Sequence, residues 1–443
     1  MHRGTTLAPS TCMMRVLHAA IVLTLGIGTA GPIAAQRAET DAARDLRSFY
    51  DGTGDRAVWL DARGRPTADA HRVMARLRDA GGDGLEPDEY RVADLARQAA
   101  FLEADDVSAV DAAAFDVGLT ASVLKYFRHL HLGRVPPRAL GFHLDHDLEL
   151  HDFPAHLRSA LTTTSFDRVV DELRPAFAQY RELRAVLPGY RARDPLRARQ
   201  IELALERLRW LPDVAGERLV VVNIPMFYVW GWEADRRDGV PAIGMPAIIG
   251  RAGSTKTPIF TSTITALIVN PDWTVPASIV TNEILPALRR NPHYLADHHM
   301  EMTDDGGTPR VRQLPGPWNA LGRIKFVLPN VHGVYLHDTP TPALFDHERR
   351  DFSHGCVRVA DPVALAAWIL QDGHEWPPDR IRAAIHDGAT RTVKVIRPPH
   401  VILFYMTAAF APEDGSVRFA DDLYGHDARL DAWLRARTDG GER

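Results

Sequence analysis

Leu219-Val220-Val221-Val222-Asn223-Ile224 is where the sequence changes texture, from helical spacing to an apolar, branched run of strand length. Upstream, from Arg37 to Leu208, apolar residues recur every three or four positions, as in Ala70-His71-Arg72-Val73-Met74-Ala75-Arg76-Leu77. Gly81-Gly82-Asp83-Gly84 ends that helix in a turn. Further helices are expected over Asp111 to Leu130, Phe166 to Leu183 and Leu196 to Leu208, the last with Pro212 beyond its end. Downstream, short apolar runs at Ala247-Ile248-Ile249, Ile264 to Val269, Ile324 to Val327, Gly333 to Leu336, Val393 to Val395 and Val401 to Thr407 alternate with Gly and Pro turns. The expected class is therefore α+β: an all-α domain at 37–208, a mostly β domain of sandwich or barrel type at 217–430, and a polar tail at 431–443.

Two segments interrupt the β pattern. Asp361-Pro362 ahead of Val363 to Leu370 supplies an N-cap, a first-position proline and an amphipathic helix. Thr281 to Arg312 reads as helical at first and then polar and turn-rich through Thr303-Asp304-Asp305-Gly306-Gly307. An insertion of that length in a β domain is commonly a lid or binding loop.

The N-terminus has the form of an export signal at 1–35: Arg3 and Arg15, an apolar run from Val16 to about Gly31, then small residues ending at Ala34-Ala35. The alternative, a membrane anchor, needs about 20 apolar residues, and this run has about 15. Cleavage removes Cys12 and leaves Cys356 as the single thiol, which excludes an intramolecular disulfide. It also takes the formal charge from −5 to −7 by loss of two arginines, which argues against a nucleic-acid partner. The mature chain, with no later apolar run of spanning length, is expected to have no membrane span and to work outside the cytoplasmic membrane, in a Gram-negative cell the periplasm.

The chemistry concentrates in Val331-His332-Gly333-Val334-Tyr335-Leu336-His337-Asp338-Thr339-Pro340 and Ser353-His354-Gly355-Cys356-Val357-Arg358-Val359. A thiol becomes a nucleophile at neutral pH when a base or a positive field acts on it, and imidazole is such a base. Gly355 permits a tight turn that would present backbone N–H groups to an oxyanion. On residue chemistry alone, inert packing of a lone cysteine remains the other reading.

Ser353-His354-Gly355-Cys356-Val357-Arg358 resembles the nucleophile motif of the L,D-transpeptidases. The resemblance to their large Gram-negative branch extends to Pro315-Gly316-Pro317-Trp318-Asn319-Ala320-Leu321-Gly322, Tyr335 to Pro340, Asn223-Ile224-Pro225 and Asn270-Pro271-Asp272-Trp273. In the helical half it is carried by Trp59, Gly84-Leu85-Glu86-Pro87 and His131-Leu132-Gly133-Arg134-Val135, which are similar to that branch's scaffold domain. The peptidoglycan-binding module often found between the two domains has no room from Leu173 to Trp210.

The resemblance implies a cysteine acyltransferase that cross-links peptidoglycan stem peptides without a cofactor or metal and reacts with carbapenem-type inhibitors. Cys356 is the implied nucleophile and His337 its base, with N–H groups at Gly355 and Cys356 receiving the oxyanion. Ser353, His354, Tyr335, Arg358, Trp318 and Asn319 are the implied substrate contacts, although Arg358 equally suits a structural ion pair. The acceptor stays open among a stem amine, water (a carboxypeptidase) and a lipoprotein lysine (an anchoring enzyme); a peptidoglycan-binding scaffold with a dead site is the non-enzymatic alternative.

His332 competes for the role of base. If Gly333 to His337 is one strand, residues five apart point to opposite faces, so Tyr335 shares a face with His337 and not with His332. The interval from His337 to Cys356 is 19 residues, close to that of the family, against 24 from His332. His293, His298 and His299, and His143, His146 and His151, lack ligand spacing and read as solvated surface rather than metal sites.

Overall fold

The computed structural model describes residues 33–440 apart from 104–107, 145–150, 213, 215, 235–238, 306–307, 374 and 412. The expected leader lies almost wholly outside the described residues, as does His146. No helix among them is long and apolar enough to cross a membrane.

The helical half is built around Ala109–Leu132, a helix buried on nearly all sides and capped by the Ser108 hydroxyl, which accepts from Asp111 N–H. Asp116 stands in its middle and accepts from Tyr50 Oη at 2.6 Å and from the Val58 and Trp59 amides at 2.9 and 2.8 Å. Burial pushes its carboxyl up to about 6. The surrounding core joins Phe49, Trp59, Leu77, Phe127, Leu157 and Leu173.

Two expectations about this half are corrected. Phe166 to Leu183 is not one helix but two, Phe166–Leu173 and Ala178–Arg193, because Pro175 cannot donate and disfavours helical backbone before it. Division of the chain near 208 does not match the packing either. Helices Ala178–Arg193 and Pro195–Leu208 bury Tyr180, Leu183, Ile201 and Leu205 in the core of the β domain, whereas the helical core closes at Leu173.

The strands are β1 (Leu219–Asn223), β2 (Tyr228–Trp232), β3 (Ile243–Ile248), β4 (Phe260–Thr263), β5 (Ala266–Val269), β6 (Trp273–Thr274), β7 (Met300–Asp305), β8 (Thr308–Gln313), β9 (Ile324–Val327), β10 (Leu336–His337), β11 (Val357–Val359), β12 (Arg391–Lys394), β13 (His400–Phe404), β14 (Ala408–Ala411) and β15 (Ser416–Phe419). One mixed sheet runs β12-β5-β9-β10-β11-β3-β2-β1-β13-β4. Its β1–β13 and β10–β11 pairs are parallel. The fold is α+β, and the sheet places Val220, Val222, Leu267, Phe326, Leu336 and Val357 in one apolar core.

The insert carries a small core of its own, Val275, Ile279, Val280, Ile284 and Val311. Its second half, expected as turn-rich chain, is the hairpin β7–β8, with Met302 opposite Val311. Thr303, Asp304 and Asp305, which suggested a loop, belong to β7, opposite Arg310, Pro309 and Thr308, while Gly306 and Gly307 lie outside the described residues. The expected polar tail is also corrected: His426–Gly440 is a helix, with Leu430 and Leu434 buried.

Candidate active site

Strand register decides what gathers here. Leu336 and His337 on β10 pair with Val357 and Arg358 on β11, and on the other side with Phe326 and Lys325 on β9. Alternate residues face opposite ways. Leu336, Val357 and Phe326 are each 0% exposed and point into the core, so His337, Arg358 and Lys325 point to the other face. Tyr335 and Cys356, each two residues earlier, share that face. Val357 N–H donates to Tyr335 O at 3.1 Å, which sets Cys356 beside Tyr335, and the Tyr335 ring lies 5.6 Å from that of His337.

The turn into Cys356 is built from polar groups turned inward. Gly355 adopts φ +114°, where side-chain-bearing residues are rare. Thr257 Oγ1 donates to Gly355 O at 2.8 Å and accepts from Gly250 N–H at 2.8 Å, while Tyr424 Oη donates to Gly250 O at 2.6 Å. Ser353 Oγ donates to Cys356 O and accepts the Gly355 N–H at 3.1 Å.

Several expected contacts are thereby corrected. Ser353 is buried and its hydroxyl is committed to the turn ahead of Cys356. The Gly355 N–H is spent on Ser353, leaving the Cys356 N–H, which has no partner among the described residues. A second donor, the Tyr335 hydroxyl, is within hydrogen-bond reach of the Cys356 sulfur. Asn319 is fully buried, with Nδ2 donating to Gln313 O and Leu314 O and Oδ1 accepting from Leu321 N–H. It fastens a turn out of reach of solvent.

Trp318 is 42% exposed and stacks on His299 at 3.7 Å, bracing the foot of the insert. His354 points away from the sheet, with Nε2 2.8 Å from Glu283 Oε1 on a π-helical turn of the insert, Val280–Ile284. His332 sits on a surface turn, its ring 5.0 Å from His143 and 5.2 Å from Phe260. His298 stacks on Tyr294, and His151 packs against His131.

His337 Nδ1 lies 2.6 Å from the Asp338 carbonyl. A carbonyl only accepts, so Nδ1 carries the proton in that bond, and the Leu321 carbonyl also stands within hydrogen-bond reach of the ring. Burial, then the Arg358 and Lys325 charges, push the imidazole down to about 3. Burial pushes the Cys356 thiol up, opposed in part by Tyr335, Lys325 and Arg358. The pair therefore rests as neutral thiol and neutral imidazole, not as the thiolate expected of an activated cysteine.

No salt bridge joins Arg358 or Lys325 to a carboxylate among the described residues, and Arg358 Nε is buried without a hydrogen-bond partner. Lys325 Nζ rests 4.0 Å from the centre of the Tyr335 ring.

Sequence reasoning missed Lys325, Asp338 and Glu283. Lys325 becomes visible only when β9 is aligned with β10. For Asp338 a signal existed in Gly322, whose φ is +61° and where a Cβ would stand 2.4 Å from Asp338 Cγ. The Asp338 carboxylate fills that space and accepts from Arg323 and Thr339 N–H, fixing the carbonyl that holds His337.

Two family descriptions match the chain: a scaffold domain over residues 44–187 and an L,D-transpeptidase catalytic domain over residues 217–396. The chain is 27% identical over 297 residues to the "Putative L,D-transpeptidase" of Haemophilus influenzae, a match that covers 62% of this chain and 58% of that protein.

Proposed function

From the premise that the chain carries a scaffold domain and, behind it, the catalytic domain of the L,D-transpeptidase family, we propose that it forms 3-3 cross-links between peptidoglycan stem peptides, with Cys356 as nucleophile and His337 as base. The observation that supports this best is the β10–β11 register, which sets Tyr335, His337, Cys356 and Arg358 on one face. His337 takes the thiol proton as sulfur attacks the carbonyl of the third residue of a donor tetrapeptide. The oxyanion is received by Cys356 N–H and the Tyr335 hydroxyl, in the field of Lys325 and Arg358. The imidazolium returns its proton to the departing D-Ala amine, leaving a thioester. An amine of a second stem attacks that thioester, its proton passes to His337, and the thiol re-forms as the new amide is released.

Because thiol and imidazole rest neutral, proton transfer accompanies attack in this scheme. The two unpaired cations suit the free carboxylates of a donor stem, and the strained amide of a carbapenem is expected to acylate the same sulfur. Water or a lipoprotein lysine would use the same thioester. The export signal read in the sequence would put the reaction in the periplasm.

Incubation of the purified protein with tetrapeptide stems, followed by muropeptide analysis, tests the proposal. A 3-3 dimer and free D-Ala are expected from the wild type and neither from Cys356→Ala. Cross-linking near the wild-type rate in that variant would end it.

A further inference from the structure

Along β2, two strands from β11, Tyr228, Trp230 and Trp232 stand in a row, with ring centres 4.6 and 6.5 Å apart. Tyr228 and Trp230 pair with Pro246 and Gly244 on β3, and Ile248, of the same parity on β3, pairs with Arg358. The row therefore lies on the face that carries Cys356 and His337. A Cβ at Gly244 would meet the Tyr228 ring at 3.1 Å and the Trp230 ring at 3.3 Å, so the missing side chain lets both rings lie over the strand. Trp232 packs on the core and gives its indole N–H to Gly239 O at 3.0 Å. The Tyr228 hydroxyl and the Trp230 indole N–H have no partner among the described residues.

These two rings form one wall of a cavity of about 650 Å³, which Glu348, Arg349, Arg418, Asp421 and Asp422 also line. Three carboxylates stand against two guanidiniums that are already paired, Arg349 with Asp351 and Arg418 with Glu413, so the lining makes no claim on an anionic ligand. It offers instead a dense set of acceptors and forked donors facing apolar ring surfaces. A peptide seeking an open strand edge finds none, because β2 is paired on both sides by β1 and β3. A neutral, polyhydroxylated ring, with C–H groups on a face and hydroxyls around its rim, satisfies both kinds of wall.

We propose that this cavity is a saccharide subsite, and that it holds the glycan strand whose stems the enzyme joins; the second clause rests on the proposed function. The position fits. Trp230 and Arg358 are separated by roughly 13 Å along the strands and about 10 Å across them, hence about 16 Å on the diagonal. Three extended stem residues span only ~10 Å, so the sugar held would lie further along the strand than the one bearing the donor stem. One wall belongs to the loop that continues through Ser353 into Cys356, so glycan and nucleophile are addressed by one segment.

The test is titration of the full chain with glycan strands stripped of their peptides, by calorimetry, alongside transfer kinetics on free tetrapeptide and on glycan-linked stems. In Trp230→Ala and in Arg349→Gln, glycan affinity is expected to fall at least tenfold, and KM for glycan-linked stems to rise about tenfold while KM for free tetrapeptide moves less than twofold. Trp230→Phe, which keeps an apolar ring, should recover most of the binding. Unchanged glycan affinity in both Trp230→Ala and Arg349→Gln, or equal KM changes on the two substrates, overturns the proposal. Glycan binding by a wild-type protein that shows no transfer would instead overturn the proposed reaction and leave the subsite standing.

Discussion

Glu283 Oε1 lies 2.8 Å from His354 Nε2, joining the insert to the turn that carries Cys356 although the two residues are 71 positions apart. Both side chains are partly exposed, at 52% and 36%, so the contact is worth no more than about 1 kcal/mol. Glu283→Ala should leave the melting temperature nearly unchanged and, by loosening the insert over a waiting thioester, raise the ratio of hydrolysis to transfer by about two- to fivefold. Product ratios from tetrapeptide with and without an acceptor amine measure this; an unchanged ratio would assign the contact to packing.

His337 and His332 should separate cleanly. His337 shares the face of Cys356 and is held by Asp338, whereas His332 packs against His143 and Phe260. His337→Ala is expected to slow acylation by about two to four orders of magnitude, and His332→Ala by less than about tenfold. Stopped-flow acylation by a carbapenem provides the ranking, and its reversal would move the base to His332.

The thiol is raised by burial and the imidazole depressed to about 3. A raised thiol is protonated at neutral pH and yields thiolate only as pH climbs. Iodoacetamide alkylation of Cys356, followed by mass spectrometry, should therefore accelerate continuously through pH 9. A plateau beginning near pH 6 or 7 would reveal a resting thiolate–imidazolium pair and contradict the neutral one.

Gly322→Ala should act on catalysis through Asp338. The added methyl would sit 2.4 Å from Asp338 Cγ at a residue with φ +61°, which costs about 1–3 kcal/mol of stability. If the Asp338 carbonyl sets the His337 tautomer, acylation should fall more than about tenfold while KM for tetrapeptide holds within about threefold. A loss of stability with normal acylation would reduce Asp338 to a structural residue.

What could be read from the sequence followed the range of the forces involved. Helices Ala68–Arg78, Ala109–Leu132 and Pro362–Ile369 were legible because their apolar periods, and for the last its Asp361 cap, are local. The facing of Tyr335 and His337 was legible from parity, even though only Leu336–His337 of the expected strand pairs as one. β2 was missed, since Tyr228-Val229-Trp230-Gly231-Trp232 becomes a strand only between β1 and β3. Ser353 and Asn319 were misassigned for a related reason: buried turns need side-chain partners for their backbone groups, and that demand leaves no mark in a motif.

Leu336 and Val357 are neighbours by hydrogen bonding rather than by chain. The excursion between them is anchored at its ends by Thr339, Arg350 and Asp351, so its middle can be lengthened, trimmed or rewritten without changing which side chains stand abreast. A single residue added between Gly355 and Val357 would instead rotate the sulfur out of line. Since that excursion also borders the aromatic cavity, the lining of the cavity can be changed by editing a loop, and the alignment of Cys356 with His337 only by disturbing a ladder.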